Sequence, residues 1–168
     1  MKKLLTTTLL LLLSFSFLKA QDKQSEKGLH KNAVYAEGFT IFLAGSAMLN
    51  YERQILSGEF IALHARAGIG VAYEAVEGME STPLAAAGLH LILGKRVSFF
   101  EIGAGLLTAD WHKQQSQTNS PALQMAYRFE ANRQKGVMLK AGISAWAGEG
   151  FEFSVEQATP FLAIGIGF

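Results

Sequence analysis

The sequence contains no cysteine, only three prolines and almost no excess of charge of either sign. Without cysteine there is no disulfide scaffold, no thiolate metal site and no N-terminal cysteine to carry a lipid anchor. A formal net charge of +1, from 15 Lys and Arg against 14 Asp and Glu, lacks the electrostatic footprint of a nucleic-acid-binding chain. Long apolar runs are missing as well. The longest, residues 4–18, is broken by Thr and Ser and falls short of the about 20 residues a transmembrane helix requires. From Ala33 onward no window holds a helical stripe, so residues 33–168 are left to make one all-β domain.

The front end has its own pattern. Lys2 and Lys3 precede the apolar run, and Lys19, Ala20 and the polar Gln21, Asp22 and Lys23 follow it. This is the layout of a secretory signal, with cleavage expected after Ala20. Residues 1–20 are therefore predicted as a signal peptide, 21–32 as a flexible periplasmic leader and 33–168 as the folded domain. The leader is polar and without periodicity.

What the chain has in abundance is alternation. Eight strands are predicted, over 34–42, 46–55, 61–71, 84–93, 97–109, 122–131, 137–146 and 159–168, all but the longer fifth of about 9–11 residues in length. The third is the plainest, with Ile61, Leu63, Ala65, Ala67, Ile69 and Val71 on one face and Ala62, His64, Arg66, Gly68 and Gly70 on the other. The first is the least clear, because apolar residues occupy both faces; Glu37 marks its inner one. Connections alternate in length: short at 57–58, 94–96 and 132–136, long at 74–83, 110–121 and 147–160. The first link, at 43–45, is an exception in being short. Short turns at one rim and long loops at the other fit an up-and-down barrel crossing a membrane.

Alternation alone does not say which face is outside, and a soluble lipocalin-like binding barrel would show it too. The more polar face is crowded with Gly and Ala, at Gly68, Gly70, Gly88, Gly103, Gly105 and Gly142 among others, which suits the narrow interior of eight strands. The apolar face carries Tyr51, Phe100, Tyr127, Phe129 and Phe168 toward the short-turn rim, where a membrane girdle would lie. The expected fold is thus an eight-stranded antiparallel up-and-down transmembrane β-barrel. Its interior would receive Glu37, Glu52, Glu101 and Glu130 against Arg66, Arg128 and Lys140, with His64, His90, Asn50, Gln54 and Gln124 nearby. In so narrow a space such charges are tolerable only when paired.

Other constellations are weaker. His112 with Ser116 or Asp110 lies in a polar stretch and reads as solvated rather than catalytic. Glu74, Glu77 and Glu80, and then Glu149, Glu152 and Glu156, lack the spacing of a calcium loop. The Gly-x-Gly doublets at Gly68 and Gly70 and at Gly103 and Gly105 sit inside strands and are packing devices, not nucleotide loops.

Signal peptide, eight strands, alternating turn lengths and Phe168 together resemble the small outer-membrane barrels of the OmpA and OmpX type, over the whole of the mature chain. Asn50-Tyr51-Glu52-Arg53 also resembles a stretch of uncharacterised barrels of this class. The alternating end, with Leu162, Ile164, Ile166 and Phe168 on one face, is similar to their C-terminal insertion signal. The resemblance implies the outer membrane of a Gram-negative bacterium and, as partners, outer-membrane lipid, lipopolysaccharide, the barrel-assembly machinery and an external protein or surface. It brings no catalytic residue, metal or cofactor. The function expected is a non-enzymatic barrel with a closed polar lumen, acting through its long outer loops. A lipid-modifying outer-membrane enzyme and a soluble periplasmic binding barrel are the alternatives.

Overall fold

A computed structural model describes residues 29–41, 44–74, 80–95, 97–111, 116–131, 136–147 and 158–168. They form eight strands, β1 (Asn32–Ile41), β2 (Ala44–Ser57), β3 (Ile61–Glu74), β4 (Glu80–Lys95), β5 (Ser98–Trp111), β6 (Ser116–Glu130), β7 (Gly136–Trp146) and β8 (Ala158–Gly167). Each pairs antiparallel with the next, and β8 returns to β1 to close the barrel. The closing seam runs from Ala33↔Gly167 to Gly38↔Leu162. Just beyond it, Asn32 and Phe168 exchange backbone hydrogen bonds of 2.9 Å in both directions. Closure leaves no long unpaired edge.

The period of two fixes what each face presents. Ile69 and Leu162, 68% and 69% exposed, stand on the outer surface with Leu49, Leu89, Leu106, Met125 and Ile164. Glu52, His64, Glu101, Arg128 and Lys140 point inward and are buried. This inverts the arrangement of a water-soluble barrel, and it is that of a barrel ringed by lipid. Tyr51, Phe100, Tyr127, Phe129 and Phe168 all lie on the outer face, as predicted, and are joined by Phe60 in the β2–β3 connection.

Several boundaries differ from the sequence expectation, most by extension. The strands hold 10 to 16 residues, because two of the predicted long loops are largely strand. The β3–β4 ladder continues to Glu74↔Glu80 and the β5–β6 ladder to Trp111↔Ser116. Pro83, Pro121 and Pro160 lie inside strands, each at or just beyond the end of one of its strand's two ladders. Pro83 pairs with Val71 while the β4–β5 ladder begins at Leu84. Pro121 pairs with Leu106 just before the β6–β7 ladder begins at Ala122, and on that side only its carbonyl is engaged, accepting from Ala147 N–H at 2.8 Å. Pro160 pairs with Ile143 while the β1–β8 ladder stops at Leu162. Local edges of this kind are where a residue without an N–H is tolerated in a sheet. Of the third predicted long loop, 147–160, residues 158–160 belong to β8, and 148–157 are outside the described residues. In the first link, Ala44 and Gly45 open β2, paired with Ile41 and Thr40; Leu43 is outside the described residues.

At the short-turn end, β2 gains a residue through a bulge between Gln54 and Leu56 and runs past its predicted stop. Gly94 closes the β4–β5 turn with φ +146, a conformation an L side chain rarely adopts, and its N–H donates to Phe60 O at 2.9 Å. The end of the predicted leader is also ordered against the barrel. Asn32 already belongs to β1, His30 is buried, and Leu29 packs on the small apolar cluster of Ala62, Ile92 and Phe99. The signal peptide, residues 1–20, is outside the described residues.

An outward position in mid-strand and one at the rim test the lipid-facing surface. Ile69→Arg is expected to lower the unfolding free energy in bilayers by about 2–4 kcal/mol, and Val97→Arg at the short-turn rim by about 0–1 kcal/mol. Reversible urea unfolding in lipid vesicles measures both. A barrel surrounded by water would show no such depth dependence, since exposed substitutions then stay within about 0.5 kcal/mol.

Candidate functional site: the charged interior

Inward-facing positions bring the predicted interior residues together from seven strands. Glu37 comes from β1, Glu52 from β2, His64 and Arg66 from β3, His90 from β4, Glu101 from β5, Arg128 and Glu130 from β6, and Lys140 from β7. All are buried except Glu37, whose side chain is 11% exposed. They form two connected groups.

The larger group is built on two cations. Arg128 Nη1 donates to Glu52 Oε1 and lies 3.4 Å from Glu101 Oε2. Its Nε and Nη2 reach Glu130 Oε1 at 2.6 and 2.5 Å. Lys140 Nζ lies 2.8 Å from Glu52 Oε2 and 2.9 Å from both oxygens of Glu101. It also donates to the Tyr35 hydroxyl at 3.3 Å, and that hydroxyl donates onward to Glu52 Oε2 at 3.4 Å. Each of two histidines completes a carboxylate. His64 Nδ1 is 2.7 Å from Glu52 Oε1, and His90 Nδ1 is 2.7 Å from Glu101 Oε1. An ionised carboxylate only accepts, so Nδ1 is the protonated nitrogen in both rings. Glu130 is held from below by His30, whose backbone N–H donates to Oε2 at 3.0 Å and whose Nδ1 lies 2.7 Å from the same oxygen.

The second group centres on Arg66. Nε donates to Asn50 Oδ1 at 2.9 Å, Nη1 to Gln124 Oε1 at 2.6 Å and Nη2 to Glu37 Oε1 at 3.0 Å. Gln124 Nε2 donates to the same Glu37 oxygen at 3.4 Å. Tyr35 stands between the groups, with the Arg66 guanidinium 5.6 Å and the Lys140 ammonium 4.3 Å from its ring centroid.

Room for the histidine rings comes from glycine on the neighbouring strand. A Cβ on Gly103 would lie 2.5 Å from His90 Cε1, and one on Gly167 would run into the His30 ring. Apolar side chains fill the remainder: Ala33, Tyr35, Met138 and Ala163 form one buried cluster beside the charges. Sequence reasoning missed Tyr35 and His30. Tyr35 shares its face with Glu37, which was the available signal, masked by the apolar residues on both sides of β1. His30 precedes the first strand and carried no signal.

The other candidates do not join this site. Leu162, Ile164, Ile166 and Phe168 lie on the outer face of the barrel's last strand and its end. His112 is outside the described residues; Asp110 and Ser116 belong to the facing ends of β5 and β6. Glu77, Glu149, Glu152 and Glu156 are outside the described residues too, while Glu74 and Glu80 are register partners. Among the described residues no group of His, Asp and Glu has the arrangement of a metal site.

Removing one partner of a buried ion pair leaves an uncompensated charge, a loss of about 3–5 kcal/mol. Arg128→Ala strands Glu130 and removes one of the two cations at Glu52 and Glu101, so a loss of about that size is expected in urea unfolding. Adding Glu130→Gln to the Arg128→Ala background is expected to recover part of it, with a coupling of about 0.5–3 kcal/mol. Additive effects of the two changes would show that the groups do not act as a buried pair.

No protein-family model and no curated protein sequence matches the chain. Among solved structures it is similar to the outer membrane protein Ail of Yersinia pestis in a phospholipid bilayer nanodisc. The likeness covers 83% of this chain and 99% of that one, with a TM-score of 0.53 at 8% identity. At that identity it is the fold that is shared: eight antiparallel strands closed into a barrel, apolar side outward, as in the small outer-membrane barrels of the OmpA and OmpX type.

Proposed function

We propose that the protein is a non-enzymatic integral barrel of the outer membrane, closed to ions, whose barrel holds a long-loop rim for contact with the cell exterior. The observation that carries this reading is the saturation of the interior by its own charges. Glu52, Glu101, Arg128, Lys140 and His64 are each no more than 2% exposed and are bonded to one another across the lumen. A water column wide enough to conduct would have to separate those pairs, and the desolvation that makes them tight would then be absent. The same engagement argues against catalysis inside. His64 and His90 are turned by their Nδ1 atoms into buried carboxylates, with no approach for a substrate. Function then falls to the connections, which a rigid barrel carries and which vary in chemistry independently of it. Lipopolysaccharide, an external surface or another protein are the partners such a rim would meet.

Planar-bilayer recording of the purified wild-type protein tests the closed interior, and no steady conductance is expected. Open-pore steps from the monomer would overturn it. The non-enzymatic part is tested by incubating the purified protein with labelled outer-membrane lipid. Turnover that disappears in His112→Ala would assign the lipid-modifying role instead.

A further inference from the structure

The net charge of +1 conceals a separation of charge along the barrel axis. From Lys31 onward the sequence has ten cationic side chains, and three of them, Arg66, Arg128 and Lys140, are interior. Of the others, Lys31, Arg53 and Lys95 are the ones among the described residues, and all three stand at the short-turn end. Outside the interior, where Glu130 is paired with Arg128, Glu59 is the one carboxylate side chain at that end among the described residues. The long-loop end holds the reverse: Glu74, Glu80 and Asp110 stand at its strand ends, with no cation there among the described residues.

The cations of the short-turn end are interleaved with the aromatic girdle. Arg53 stands exposed two residues beyond outward-facing Tyr51, and its register partner Asn32 accepts the Tyr51 hydroxyl at 2.8 Å. Phe168, also outward, is bonded to Asn32 through the backbone. Lys31, the residue before Asn32, is exposed, and among the described residues neither it nor Arg53 has a carboxylate partner. Lys95 lays its ammonium 3.5 Å over the Phe60 ring, 3.7 Å from Glu59, and remains half exposed. Aromatic rings of this kind settle at the boundary between hydrocarbon and headgroups, and long basic side chains beside them reach to the phosphates.

We infer that the short-turn rim is a docking surface for the headgroups of anionic phospholipids in the leaflet on that side. The inference rests on the reading of the chain as a membrane barrel. Charge complementarity selects the partner, since cations near a membrane surface favour anionic lipid and lose that preference as salt screens them. The aromatic setting places the partner's phosphates in the bilayer rather than in a soluble polymer.

The test uses the wild-type protein reconstituted in phosphatidylcholine bilayers with spin-labelled phosphatidylglycerol or spin-labelled phosphatidylcholine. Heat-modifiable migration reports insertion separately. The inserted protein is expected to associate with the phosphatidylglycerol probe roughly two- to fivefold more strongly than with the phosphatidylcholine probe at low salt. High salt is expected to bring the ratio toward one, and so is the combined variant K31Q/R53Q/K95Q. The variant E149Q/E152Q/E156Q, altered at the opposite end, is expected to keep the preference. Equal association of both probes with inserted wild-type protein overturns the inference and leaves the membrane reading intact. A preference that neither salt nor the rim variant changes overturns it as well. Binding to isolated peptidoglycan that the rim variant abolishes, without any lipid preference, would assign the surface to the cell wall instead. A protein that does not insert overturns both readings.

Discussion

A charge in the interior of an eight-stranded barrel has nowhere to go but to another charge. The space is too narrow for separate hydration shells, and a carboxylate or ammonium left alone there would be strongly disfavoured. That requirement ties the wall together. Lys140 on β7 is bound to carboxylates on β2 and β5 and to the Tyr35 hydroxyl on β1. Arg128 on β6 joins the same two carboxylates to Glu130 and, through it, to His30. Backbone ladders connect each strand to its neighbours alone. These side chains connect strands that do not touch, so they fix the cross-section as well as the staves. They also defend the register. A slip of one residue in any of these strands would turn its charge out into the apolar band and an aliphatic side chain into the ion pairs.

The same constraint decides the composition of the inner face. The interior histidines are broad, and they find room where the neighbouring strand is bare backbone. His90 lies against Gly103 and His30 against Gly167 for that reason. The inner face therefore alternates between a few large polar groups and many glycines and alanines, which is how facing positions interdigitate without voids. Glycine abundance in this chain is a packing statement, and the one glycine at positive φ among the described residues, Gly94, stands at the end of β4 beside the β4–β5 turn.

Strand number, closure and sidedness were legible because each rests on a period of two sustained over many residues, as in Ile61 to Val71. The extended hairpins were not, because residues 74–83 and 110–121 carry no sustained apolar alternation although β3 to β6 run on into them. The membership of the interior was legible; its pairing was not. Alternation gives the face of a residue but not the partner it reaches across the lumen. By register Glu52 stands opposite Arg66, and Arg128 stands opposite Lys140, two cations side by side. The observed bonds ignore the first pairing: Arg66 turns to Glu37, Asn50 and Gln124, and Glu52 is taken by Arg128 and Lys140 from the far wall. The like-signed neighbours on β6 and β7 are thereby neutralised by acids from β2 and β5. Side-chain length and the curvature of the barrel settle this, and a one-dimensional pattern contains neither.

Lipid outside and a narrow lumen inside together leave charge two permitted locations. It is either paired in the interior, as around Arg128 and Arg66, or moved to the rims, and no charged side chain occupies the middle of the outer face among the described residues. Arg53, which does point outward, stands at the girdle beside Tyr51 rather than at mid-strand. This rule accounts for where the charges are and is indifferent to their sign, since a lysine or a glutamate at a rim satisfies it equally. A mixture of both signs at both ends would have served the fold as well. The sorting of carboxylates to the long-loop end and cations to the short-turn end is therefore a feature that stability does not require, and the place to look for what each end of this barrel meets.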